Sequence, residues 1–160
     1  VSENHHLSST GPRPDEDPVV LARGAALLFG AVFLLVGVLG FVPGVTTDLD
    51  QLSGSGHHSG AELFGVFQVS VLHNLVHVLF GLLGLGAALR PRLAPAYLVG
   101  SGIIYAALTI YGLVVDHGSD ANVVPLDTAD TWLHAVLAAA LLLIGFAVGS
   151  ALQRKGQYTR

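Results

Sequence analysis

The sequence predicts an all-α integral membrane protein, an antiparallel four-helix bundle with both termini in the cytoplasm. Composition is the first of three observations behind this. Of 160 residues, 52% are hydrophobic and only 11% charged, with a mean hydropathy of +0.65, whereas soluble domains carry about 25% charged residues. Second, apolar runs long enough to cross a hydrocarbon core of ~30 Å recur at about 18–42, 61–89, 94–115 and 128–152. Third, the seven cationic residues are Arg13, Arg23, Arg90, Arg92, Arg154, Lys155 and Arg160. With those spans they all fall on one side of the membrane. The opposite loops carry Asp48, Asp50, Glu62, Asp116, Asp120, Asp127 and Asp130. Basic residues collect on the cytoplasmic side, which puts both ends of the chain there.

Residues 1–17 are polar and read as a disordered cytoplasmic tail. They lack the basic flank and apolar core of a secretory signal. Asp17 and Pro18 suit the cap and first turn of a helix over 18–42, and Pro43-Gly44 ends it. Residues 43–60 form a Gly- and Ser-rich outer loop holding His57-His58. The pair could bind a metal weakly, but the loop's flexibility makes a solvated tip the plain reading. Ser59-Gly60-Ala61-Glu62 has the pattern of a capping box and predicts the start of the second span at 61. On that reading His73 lies ~16 Å in from Glu62 and His77 one turn deeper, near the midplane. His73, His77, Gly81, Gly84 and Ala88 then share a face whose small residues admit a neighbouring helix. Arg90-Pro91-Arg92 is a tight turn. In the third span, Ser101, Tyr105, Thr109, Gly112 and Asp116 fall on one polar face, expected to point inward. The loop from Asp116 to Asp127 is acidic and rich in turn formers, but Val123-Val124-Pro125-Leu126 is apolar enough to lie over the mouth of the bundle. The last span is capped by Asp127 or Thr128 and places Asp130, His134, Ala138, Leu141, Gly145 and Gly149 on one face. Residues 154–160 form a short basic cytoplasmic tail.

The chain has no cysteine and no methionine. Disulfides, thiolate metal sites and Cys nucleophiles are therefore excluded. The net charge of −4 gives no footprint for nucleic acid. No phosphate-binding loop, dinucleotide fingerprint or nucleophile elbow occurs, and no catalytic residue stands out.

Two motifs remain: the run from Leu63 to His77, ending in His-Asn-x-x-His, and Asn122-x-x-Pro125-x-x-x-x-Asp130-x-x-x-His134, preceded by Tyr111-Gly112-Leu113 and Asp116. Together, over roughly residues 20–150, they resemble the bacterial four-helix membrane family known as domain of unknown function 4383. The resemblance implies a multi-pass protein of the bacterial cytoplasmic membrane, with no assigned activity.

His73, Asn74, His77, Asp130, His134 and Asn122 form the candidate polar cluster, placed in the outer half of the bundle if the second and fourth helices meet. One reading is a hydrogen-bonded network that fixes helix register in a non-enzymatic accessory protein, a homo-oligomer or a subunit of a larger membrane complex. The alternative is a redox or metal-binding protein. His73, His77 and His134 would hold zinc or copper, or one histidine from each of two helices would hold a b-type haem. Proton relay is a further chemistry open to intramembrane histidines, but the cytoplasmic halves of the second and fourth spans carry no polar path.

Overall fold

The computed structural model describes residues 17–154 and Gly156. Of the tail expected over residues 1–17, residues 1–16 lie outside the described residues and Asp17 belongs to the first helix; nearly all of the terminal basic segment lies outside them too. In chain order come α1 (Asp17–Leu39), β1 (Thr46–Thr47), a 3-10 turn (Leu49–Gln51), β2 (Glu62–Leu63), β3 (Phe67–Gln68), α2 (Val71–Leu89), a second 3-10 turn (Pro91–Leu93), α3 (Ala94–Val114) and α4 (Thr128–Arg154). Among the described residues, four helices are long and apolar enough to cross a membrane: Pro18–Leu39, Val71–Leu89, Pro91–Val114 and Thr128–Arg154.

The helices pack chiefly as two pairs, α1 on α2 and α3 on α4. Glycines set both seams. A Cβ on Gly30 would come within 2.8 Å of the Gly84 backbone, and one on Gly81 within 2.5 Å of Leu34. Across the second seam Gly102 lies against Leu142, Gly112 against Thr131, and Gly145 against Leu98 and Val99. In each pair the contact numbers ascend on one helix and descend on the other. Missing side chains let backbones approach and gain dispersion contacts, the main source of association where lipid is as apolar as the helix surface. Between the pairs, Phe33 stacks on Tyr105 with ring centroids 5.2 Å apart. Leu98, Leu141 and Ala138 fill the core beside them.

The first correction concerns α2. It begins at Val71, not at residue 61. Ser70 is extended (φ −133°, ψ 169°), and its hydroxyl accepts from the His73 amide at 3.2 Å, so Ser70 is the N-cap. The expected capping residues are employed otherwise. Glu62 sits in β2, which pairs antiparallel with β1 and β3 to make a small three-stranded sheet. The Ser59 hydroxyl donates to the Val69 carbonyl. The turn between β2 and β3 uses positive φ at Phe64 (57°) and Gly65 (66°). A short, mostly apolar stretch such as residues 61–71 does not by periodicity alone distinguish a helix from strands, and a left-handed phenylalanine is not a turn signal.

The other ends shift less. The first helix stops at Leu39 rather than 42. Beyond it the Phe41 and Val42 amides bond three residues back, and the Thr46 hydroxyl takes the Leu39 carbonyl at 2.9 Å. The third helix ends at Val114 and the fourth runs on to Arg154. Asp127, not Thr128, caps α4, accepting from the Asp130 amide at 2.8 Å.

Candidate functional site

Because α2 starts at Val71, His73 stands in its first turn and His77 ~9 Å along it. His134 stands ~9 Å along α4 from Thr128. His77 and His134 are thus one to two turns in from the helix ends, which for His77 is shallower than the midplane depth expected for it. The second and fourth helices are not the paired ones. Their side chains meet through Tyr105 of α3.

The His73 and His77 rings lie parallel, with centroids 4.5 Å apart and an interplanar angle of 10°. His77 Nδ1 is 3.0 Å from the His73 carbonyl oxygen. A carbonyl only accepts, so this nitrogen carries the proton and donates. Nε2 is then the acceptor, and the Tyr105 hydroxyl donates to it at 3.2 Å. Tyr105 also meets His134 edge to face, centroids 4.9 Å apart. One tyrosine therefore joins α1 by stacking, α2 by a hydrogen bond and α4 by an aromatic contact.

The remaining polar side chains are buried. Asn74 donates to the Gly40 carbonyl at 2.8 Å and so anchors the turn after α1. Asp130 and His134 are each 2% exposed. Three buried atoms have no hydrogen-bond partner among the described residues: Asn74 Oδ1, Asp130 Oδ2 and His134 Nδ1. Leaving such an atom unpaired costs about 1–3 kcal/mol.

Two cavities flank the histidines, one on each side of the seam between the helix pairs. The first, of about 180 Å³, opens between α2 and α3 and includes Val76, Ile104, Leu108 and Val124 in its lining. The second, of about 220 Å³, lies among α1, α2, α4 and the β2–β3 hairpin, with Val36, Phe67, Leu133, Leu137 and Asp130 in its wall. His73, His77 and His134 line both. They form a polar partition between two apolar hollows.

Asn122 stands apart from this group. Its amide nitrogen donates to the carbonyls of His117 and Leu126, both at 3.0 Å, and its oxygen accepts from the Leu126 amide at 3.1 Å. It is the clamp of its own loop. Residues absent from the candidate cluster were Tyr105 and Phe33. The inward polar face of the third span did carry Tyr105, and burial of Ser101 and Tyr105 (each 3% exposed) agrees with that face, whereas Asp116, expected on it too, lies beyond the helix end and is exposed. Phe33 left no signal among the many apolar residues of its helix.

The loops that precede α2 and α4 fold over these elements. The Val71 and Leu72 amides donate to the carbonyls of Ser53 and Gly54, both at 3.0 Å, and the Gly56 amide to that of Val123 at 2.7 Å. The Gln68 side chain donates to the carbonyls of His57 (3.1 Å) and Ser59 (2.6 Å).

Compared with known proteins, residues 23–147 match the model of a family described as domain of unknown function (DUF4383). No curated protein matches, and no solved structure does.

Proposed function

This chain belongs to the DUF4383 family, whose description assigns no activity, and on that premise we propose that it is a non-enzymatic accessory protein of the bacterial cytoplasmic membrane that holds a small lipid-soluble guest against its histidine partition. In this reading it is an antiparallel four-helix bundle with both ends cytoplasmic. The positions of Arg23, Arg90, Arg92 and Arg154 support that orientation. The chamber then sits in the outer half of the bundle, reached sideways from the bilayer where the two helix pairs touch least.

One observation carries the proposal. Asp130 and His134 line the same apolar cavity of about 220 Å³, and each buries an oxygen or nitrogen with no partner among the described residues. A self-sufficient packing network would have satisfied them. Apolar walls with one or two convergent polar atoms are what a small ligand requires. The size suits the polar end of a lipophile whose remainder projects into lipid. A larger membrane complex or a second copy of the chain would be the natural setting for such a subunit.

The test is extraction and mass spectrometry of lipophiles carried through purification in mild detergent. A molecule recovered near one per chain from the wild type, and lost from the His134→Leu, Asp130→Leu double variant with its helix content intact, is the expected result. Equal recovery from both proteins would overturn the proposal.

A second reading, a metal or b-type haem site on His73, His77 and His134, draws on the His77 tautomer. An Nδ1–H held by a backbone carbonyl is the usual support for a histidine that ligates through Nε2. Against it, the in-plane lone pairs of two parallel rings do not converge on one ion, and Tyr105 already occupies that Nε2. An absorption spectrum with elemental analysis decides it: a Soret band or near-integer metal content, lost in His134→Gln, establishes the cofactor.

A further inference from the structure

The two outer loops bring together a second set of histidines, separate from the three of the partition. His57 and His58 come from the first loop and Asp120 from the second. One donor atom from each lies within 4.8 Å of the others. The His57 and His58 rings, though consecutive in the chain, turn to the same side with centroids 3.9 Å apart. His58 Nε2 is 3.4 Å from Asp120 Oδ1. In a tetrahedral zinc site with bonds of ~2.0–2.2 Å, neighbouring ligand atoms are roughly 3.4 Å apart. That pair already stands at a ligand–ligand edge.

The backbone beneath the three residues is held by both loops. Gln68 binds the His57 carbonyl and Gly56 binds the Val123 carbonyl. On the other side the Ser119 amide donates to the Asp116 carbonyl at 3.0 Å and the Asn122 amide to the Ser119 carbonyl at 2.9 Å, which fixes the turn that presents Asp120. A Gly- and Ser-rich loop would otherwise disperse its histidines. Here the ordering cost of assembling the donors is largely met by the fold. Two imidazoles and one carboxylate are a borderline donor set, matched to Zn²⁺ or Cu²⁺ rather than to the all-oxygen preference of Ca²⁺ or Mg²⁺.

We propose that His57, His58 and Asp120 bind one divalent transition-metal ion, zinc or copper(II), completed by water and exposed to the outer aqueous phase. The ion staples the first outer loop to the second above the mouth of the bundle. Val124, four residues from Asp120, lines the cavity between α2 and α3, so the staple also holds the roof of that hollow.

Copper(II) is the probe. The full chain in detergent is titrated with CuCl₂ in a His5→Gln, His6→Gln background, which removes the one other adjacent histidine pair. Electron paramagnetic resonance should show one site with hyperfine splitting from two imidazole nitrogens. His57→Gln and His58→Gln should each leave one nitrogen and weaken binding by more than about tenfold. Asp120→Asn should weaken it with both nitrogens kept. His134→Gln should change nothing, which separates this site from any ion in the chamber. Zinc should raise the midpoint of thermal unfolding in this background but not in the His57→Gln, His58→Gln variant. A two-nitrogen signal surviving in that variant, or no saturable binding at all, overturns the proposal.

Discussion

Asn74 occupies the space left by a single absent methyl group. A Cβ on Gly40 would fall 2.2 Å from Asn74 Oδ1, and Asn74 in turn satisfies the Gly40 carbonyl. Gly40→Ala should therefore destabilise by about 1–3 kcal/mol through overpacking. Asn74→Ala should cost a similar ~1–3 kcal/mol by leaving a buried carbonyl unpaired. The two residues share one contact, so the double variant should lose less than the sum; thermal unfolding of the three proteins in one detergent measures this. Asn122→Ala removes three loop hydrogen bonds and should release amide exchange across 117–126 before it affects the helices. Polar residues such as His73, Asn74, Asp130 and His134 were legible because apolar runs make every polar exception conspicuous. Asn122 was misgrouped with them, since its spacing to Asp130 and His134 says nothing about which backbone groups its amide will face. Tyr105 was placed on the inward polar face of the third span but not grouped with the histidines. Helical spacing gives a side chain's face and not what that face meets, and only its contacts reveal Tyr105 as the link among three helices.

At the scale of the element, glycine position decides what a helix can touch. Gly84 meets the Gly30 backbone and the Tyr97 ring, whereas a Cβ on Gly86, two residues on, meets nothing within 4 Å. Gly84→Leu should force α1 and α2 apart and abolish the cooperative thermal transition, while Gly86→Leu should leave it within about 0.5 kcal/mol of wild type. The start of α2 gives a second contrast. Ser70→Ala should cost about 0.5–2 kcal/mol and speed exchange of the His73 amide, whereas Ser59 cannot act as the cap of a helix that begins at Val71. The four long apolar segments were readable because their length exceeds anything a strand needs. The small sheet was not. Its strands are two residues each, and they depend on pairing across 15 residues and on a left-handed Phe64, neither of which leaves a periodic trace.

For the whole molecule, the absence of native cysteine makes topology simple to measure. Ser55→Cys in the exposed first loop should react with an impermeant maleimide on intact cells. Arg92→Cys should react only after the membrane is opened. The reverse order would invert the bundle. The same chemistry tests the roof: Asn122→Cys and Val124→Cys should label slowly, and free labelling at both would show that the second loop does not cover the polar side chains. Charge placement gives an expectation for orientation at this scale, because it depends only on which loop carries which residue, and the labelling experiment is its test. Helix neighbourhood was not legible. The second and fourth spans each had a face with small residues, and nothing in such faces names its partner.

The division into α1 with α2 and α3 with α4 has a consequence for biosynthesis. Each pair is a complete hairpin, closed by its own glycine seam, and the amino-terminal hairpin leaves the ribosome before any of α4 has been translated. If the hairpins insert in chain order, His73 and His77 enter the bilayer before Tyr105 and His134 do. On that order the hydrogen bond between Tyr105 and His77 awaits the docking of the second hairpin on the first. A gene split within the Arg90–Arg92 turn should accordingly yield two fragments that insert separately and reunite, with the histidine partition as the final joint between them.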